Sequence, residues 1–137
     1  MMSNAQIISH QLPSSIESLS LLENIIEEIK SLHHVPEELY GNILVSVTEA
    51  VNNAIRHGNK FKEALLVDLQ FELNDEAYSF QIKDQGEGFD YTNIPDPTHP
   101  DNLEKPDGRG IFIMESLSDE VKFQDKGSVV NIKFLRK

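Results

Sequence analysis

Glu49 and Asn53 stand four residues apart in a stretch of helical periodicity; Asp84 closes an alternating run and precedes Gly86 and Gly88; Gly108-Arg109-Gly110 opens an amphipathic segment. Four residues is close to one helical turn, so the Glu49 carboxylate and the Asn53 amide share a helix face, with Cβ atoms about 5–6 Å apart. Magnesium prefers oxygen ligands and keeps several waters, so the Asn53 oxygen plus phosphate oxygens suffice to hold it. Glu49, one turn away, would then be a general base toward a nucleophile. Asp84 can accept a hydrogen bond from an adenine amino group, a charge-assisted bond worth about 1.5–3 kcal/mol. Gly86 and Gly88 lack the Cβ that would keep the backbone from the base. Around Gly108 and Gly110, free amides at a helix start would face phosphate, aided by the dipole, with Arg109 or Lys105 adding charge. These are the parts of a magnesium-nucleotide pocket.

Each motif alone also has an ordinary structural reading. A Glu/Asn pair on one face can be a solvated stripe, here roughly opposite Val47 and Val51. An Asp-X-Gly sequence can simply end a strand in a turn. Glycines before a helix can be a flexible lead-in. The Gly108 region is not a Walker loop, since no Gly-Lys-Ser/Thr follows a Gly-x-x-x-x spacing, and it lacks the Gly-x-Gly-x-x-Gly placement of a dinucleotide fingerprint. His57 suits the last turn of a helix better than a base role. His33-His34 has no partner at metal-ligand spacing, and no serine carries a local nucleophile signature. The pairs Glu27-Glu28 and Glu37-Glu38 read as solvated.

The elements that must position these residues follow from periodicity. Residues 5–12 read as a strand closed by Pro13. Ser14 or Ser15 would cap a helix whose stripe is Ile16, Leu19, Leu22, Ile26 and Ile29, ending near His33-His34. Pro36-Glu37-Glu38 starts a second helix, proline and acids both suiting a first turn. Its stripe is Leu44, Val47, Val51 and Ile55, with Gly58-Asn59 as C-terminal cap. Leu65 to Leu73 and Tyr78 to Ile82 alternate around an Asn74-Asp75 turn, a hairpin with one apolar face. Residues 91–107 carry four prolines, Pro95, Pro97, Pro100 and Pro106. A loop of about 17 residues inside a compact domain is more often functional than idle, and this one would serve as a lid. Gly110 to Leu117 reads as a helix, Val121 and Phe123 as a strand, Lys126-Gly127 as a turn, and Val130, Ile132 and Phe134 as a last strand. The order β-α-α-β-β-loop-α-β-β predicts an α/β (α+β) two-layer sandwich, helices covering one sheet face.

The 137 residues correspond to one domain, 1–137, with 39% apolar residues for a core. A net charge of −11, from 12 basic and 23 acidic residues, argues against nonspecific nucleic-acid binding, which needs basic surface. A polyphosphate must be held locally by magnesium, backbone amides and a few cations, against the net field. The absence of cysteine excludes disulfides and thiolate metal sites. No signal peptide or membrane span is visible, so a cytoplasmic protein is expected.

The ordered set Glu49-x-x-x-Asn53-Ala54, Asp84-x-Gly86-x-Gly88 and Gly108-x-Gly110 resembles the N, G1 and G2 boxes of the GHKL ATPase superfamily. Within it, Thr48 to Gly58, Pro95-Asp96-Pro97-Thr98 and Lys105 to Met114 most resemble the anti-sigma-factor serine/threonine kinases of bacterial partner switching. The resemblance covers nearly the whole chain. It implies an ATP-binding sandwich with a mixed, largely antiparallel sheet, magnesium on Asn53, adenine read by Asp84, and residues 91–107 as ATP lid. It implies Glu49 as the base that activates a serine or threonine on a small STAS-class antagonist, and sigma-factor binding, often by dimers. A threonine commonly follows the glycine of the last hairpin and supports the nucleotide; here Ser128 follows Gly127 and keeps the hydroxyl. A histidine kinase is not expected, because the chain leaves no room for a dimerising phospho-acceptor helical domain. The competing function from another class is an ATP-gated binding module with little or no kinase activity.

Overall fold

Among the described residues, alternating apolar residues build a five-stranded sheet, and three helices cover its apolar face. The computed structural model describes residues 6–86 and 106–136. The elements are β1 (Gln6–Pro13), α1 (Ser18–His33), α2 (Glu37–Asn53) continued by a π-helical turn (Ala54–Gly58), β2 (Leu66–Leu73), β3 (Ala77–Lys83), α3 (Pro106–Leu117), β4 (Glu120–Gln124) and β5 (Val129–Leu135). The strand order is β1-β2-β3-β5-β4, and every ladder among the described residues is antiparallel. The expected two-layer sandwich with a largely antiparallel sheet is the architecture found.

Register explains the one-sided core. Leu12 pairs with Val67, Leu69 with Ile82, Phe71 with Phe80, and Phe80 with Ile132, and all are buried. Because side chains alternate along a strand, the same registers send Gln70, Gln81 and Asn131 to the other face, where Gln81 Nε2 donates to Asn131 Oδ1 at 3.1 Å. Phe71, Phe80 and Phe134 run across the sheet with centroids 5.0 and 6.1 Å apart, within the range of favourable offset and edge contacts. From the helix layer, Leu22, Ile26 and Ile29 of α1 and Ile43, Val47, Ala50 and Val51 of α2 close over them.

Several local expectations are corrected. Ile16 precedes α1 and is 53% exposed, so it does not belong to the buried stripe. Ser14 and Ser15 do not cap α1 by side chain: its N-cap is Glu17 without a side-chain bond. The buried Ser14 hydroxyl instead donates to the Leu65 carbonyl. Tertiary demand for a partner at Leu65 thus outweighs the local capping preference. The expected stop at Gly58-Asn59 is found, but it is reached through the π-turn, with Asn59 as C-cap at φ −87° rather than a left-handed glycine. Finally, α3 begins at Pro106, so Pro106 and Asp107 belong to a helix rather than to the loop. Proline in a first turn suits a helix start, since its missing N–H is one of the orphans there. The expected lid otherwise falls on residues 91–105, outside the described residues.

Candidate nucleotide-binding site

Helix α2 delivers Glu49 and Asn53 one turn apart, as expected, but not onto a solvated stripe. Both are half-buried, because α3 packs across that face. A Cβ added to Gly110 would lie 3.0 Å from Asn53 Nδ2 and 3.0 Å from Glu49 Oε2. Glycine at 110 therefore allows the α3 backbone to settle against the two polar groups. Gly110 sits a full turn inside α3, so its contribution is close approach and not a free helix-start amide; Gly108 does lie in the first turn. Asn53 Oδ1 is buried and has no hydrogen-bond partner among the described residues. A buried amide oxygen left unpaired is costly, and an oxygen kept in that condition fits a hard cation. Among the described residues no three His, Cys, Asp or Glu side chains converge, so magnesium here would rest on the Asn53 oxygen together with ligand oxygens, the arrangement magnesium commonly adopts with nucleotides.

Asp84 follows β3 and is buried, 9% exposed. Its N–H donates to the Ser128 carbonyl at 2.9 Å, and its Oδ1 accepts from the Gly86 N–H at 2.8 Å. A Cβ on Gly58 would fall 2.3 Å from Asp84 Cγ, and one on Gly86 would fall 2.1 Å from the Gly58 carbonyl oxygen. Both glycines are thus required by packing within the protein. These close approaches are a role for Gly58 and Gly86 that their local sequence did not announce. Burial pushes the Asp84 carboxyl above its ordinary range, opposed by the Gly86 amide.

That direction sets a pH dependence. A raised carboxyl pKa means the folded state holds the proton more tightly than the unfolded chain. Stability is therefore lost as pH rises through the raised pKa, and the ionised form carries the cost at neutral pH. Asp84→Asn, which keeps an acceptor for Gly86, should leave the ligand-free protein at least as stable as wild type near pH 7. The difference should close as pH falls through the carboxyl's titration. Urea midpoints across that range check it, and a variant clearly less stable at neutral pH contradicts it. In the same variant, ATP affinity should fall roughly tenfold or more if the carboxylate meets adenine.

Asn53, Asp84 and Ser128 line one and the same cavity. The Ser128 hydroxyl donates to the Asp125 carbonyl at 2.9 Å. Glu49 stands beside this cavity through its neighbour Asn53, and Arg109 is exposed on α3. Gly88 and Lys105 lie outside the described residues. The apolar wall comes from Ile82, Ile111, Met114, Phe123 and Val130. By periodicity these are core residues, and nothing in their spacing separates a wall from a core. His57 also lines the cavity, from the π-turn that no sequence pattern announced.

Comparison with known proteins adds a family and a fold. The family described as histidine kinase-like ATPase domain matches residues 12–134. The chain is 32% identical over 146 aligned positions to a serine-protein kinase RsbW of Staphylococcus epidermidis, covering 100% of this chain and 92% of that protein. It is 27% identical to serine-protein kinase RsbW of Oceanobacillus iheyensis, over 94% of this chain and 85% of the other. Among solved structures, the RsbU and RsbW domains of Rv1364c from Mycobacterium tuberculosis share the fold, with a TM-score of 0.67 at 13% identity, over 96% of this chain and 32% of that one.

Proposed function

The chain belongs to the histidine kinase-like ATPase domain family, and from that premise we propose that it is an ATP-dependent serine/threonine protein kinase acting as an anti-sigma regulatory factor. It would bind a sigma factor and phosphorylate a STAS-class antagonist. The name of its relatives, serine-protein kinase, supports the reaction class. The observation that carries the reading is the junction of α2 and α3, where Glu49 Oε2 and the unpartnered Asn53 oxygen meet at Gly110, beside the cavity that Asp84 borders.

In this reading Asp84 accepts from the adenine amino group, and the apolar wall around Ile82 and Met114 takes the faces of the base. The Asn53 oxygen would hold magnesium, which would supply charge neutralisation at the phosphates. Glu49 accepts the proton of the acceptor hydroxyl as its oxygen attacks the γ-phosphorus. The bond from that phosphorus to the β–γ bridging oxygen breaks, and ADP leaves. Such transfers depend mainly on positioning and charge stabilisation, which agrees with a site built from rigid helix and strand ends.

A thermal-shift titration with magnesium-ATP, run beside Asp84→Asn, tests the pocket. Ligand at about 100 times its dissociation constant stabilises by roughly 2.7 kcal/mol. Incubation with γ-labelled ATP and the co-encoded STAS protein then tests transfer. A shift lost in the variant, with label on a STAS serine or threonine, is the expected result. Binding without transfer turns the protein into a nucleotide-gated binding module, and no binding removes the nucleotide reading.

A further inference from the structure

Asn59 is a polar side chain that the proposed reaction does not use, and it is only 1% exposed. Its amide is nearly saturated. Nδ2 donates to Ser14 Oγ at 2.8 Å and to the Leu66 carbonyl at 3.2 Å. Oδ1 accepts from the backbone N–H of Gln85 at 2.7 Å. Gln85 is the residue after Asp84, and its own Oε1 accepts from the Leu66 N–H at 2.6 Å. Beside this network the Gly58 carbonyl lies against Gly86, where a Cβ would come within 2.1 Å. The backbone C-terminal to Asp84 is therefore held at Gln85 by the side chain of Asn59 and packed at Gly86 against the carbonyl of Gly58. Residues 58 and 59 in turn continue the α2 backbone from Asn53 through the π-turn, closed by the Asn59 N–H donating to the Ala54 carbonyl at 2.7 Å. A buried, largely satisfied network of this kind rigidifies what it joins.

We infer that Asn59 is a positioning residue that fixes the Asp84 carboxylate relative to Asn53, and so sets the discrimination of adenine from guanine. The inference rests on the nucleotide reading of the same site. Guanine carries a carbonyl where adenine carries its amino group, so a carboxylate held at that edge attracts one and repels the other. Removing Asn59 frees the Gln85 amide, and the Asp84 carboxylate just before it loses its fixed placement.

The test is a direct titration of the full chain with magnesium-ATP and magnesium-GTP, in wild type, Asn59→Ala and Ser14→Ala. Wild type should prefer ATP by about tenfold or more, the size of one charge-assisted bond. In Asn59→Ala the preference should collapse to within about threefold. A change that only lowers the folded fraction weakens both nucleotides by the same factor and leaves the ratio unchanged. Ser14→Ala removes one acceptor of the Asn59 amide but keeps the Gln85 contact, so it should lower stability while holding the wild-type ratio. If Asn59→Ala does not fold, as judged by circular dichroism, Asn59→Ser replaces it; its shorter side chain cannot span to both Gln85 and Leu66. A discriminating wild type whose ratio survives in the Asn59 variant overturns this inference alone. A wild type that binds both nucleotides equally, or neither, overturns the adenine reading of Asp84 and this inference with it.

Discussion

Glu49→Gln should keep magnesium-ATP binding and lose phosphotransfer by about 10²–10⁴-fold, the usual contribution of a positioned general base. The substitution is close to isosteric and leaves an oxygen facing Asn53 and Gly110, where Glu49 Oε2 now lies. What it removes is the capacity to take a proton from an acceptor hydroxyl. Nucleotide affinity should change by less than about threefold, because on this reading the adenine and magnesium ligands are Asp84 and Asn53. Single-turnover transfer to the STAS protein separates the two quantities. Full transfer in the variant removes Glu49 as the base. A large loss of ATP affinity instead makes Glu49 part of the binding site and leaves the base unassigned.

Gly86→Ala should destabilise the protein by about 1–3 kcal/mol or more, as overpacking into backbone does, and lower Tm by on the order of 10 °C. The methyl would lie 2.1 Å from the Gly58 carbonyl oxygen and 2.7 Å from its carbon. Both are backbone atoms, so no side-chain rotation relieves the contact. The strain falls on the π-turn and on the turn after Asp84 together, and ATP binding should fail with it. Conformation is not the cause, because among the described glycines only Gly127 has a positive φ, 90°. Gly41 serves as the control: it lies within α2 with nothing within 4 Å of an added Cβ. Gly41→Ala should therefore raise stability by roughly 0.5–1 kcal/mol, the helix-interior difference between the two residues. Chemical denaturation of both variants decides the matter, and similar behaviour of the two would refute the packing account of Gly86.

The start of α3 illustrates how a motif can be found while part of its packing stays hidden. Gly108-Arg109-Gly110 was legible as a glycine-flanked helix beginning, yet the helix starts earlier, at Pro106. Gly110 is small because Glu49 and Asn53 occupy the space a side chain would need. The lone-pair oxygen of Asn53 was legible as a ligand by type. That it would be buried and unpaired depends on α3 lying over it, and no local spacing encodes that.

What the sequence determined by itself was everything carried by short-range periodicity. Alternation in Val67, Leu69 and Phe71 and in Tyr78, Phe80 and Ile82 specified the strands, and the Asn74 side chain closed their turn, accepting from Glu76 and Ala77 at 2.8 and 2.9 Å. The helical stripe through Leu22, Ile26 and Ile29 specified α1, and the two-layer fold class followed from the order of elements. The four-residue spacing was likewise enough to put Glu49 and Asn53 on one helix face. Tertiary structure alone decided the pairings that join distant segments: Gly58 against Asp84 and Gly86, Asn59 with Ser14 and Gln85, and α3 over α2. The physical reason is range. Periodicity and capping act within about one turn or one strand pair, whereas a close approach or a buried hydrogen bond depends on two surfaces brought together by the whole core. Ser14, read locally as a cap, took its role from a neighbour 51 residues away at Leu65, and Gly58, besides ending the helix, is packed across the chain against Asp84.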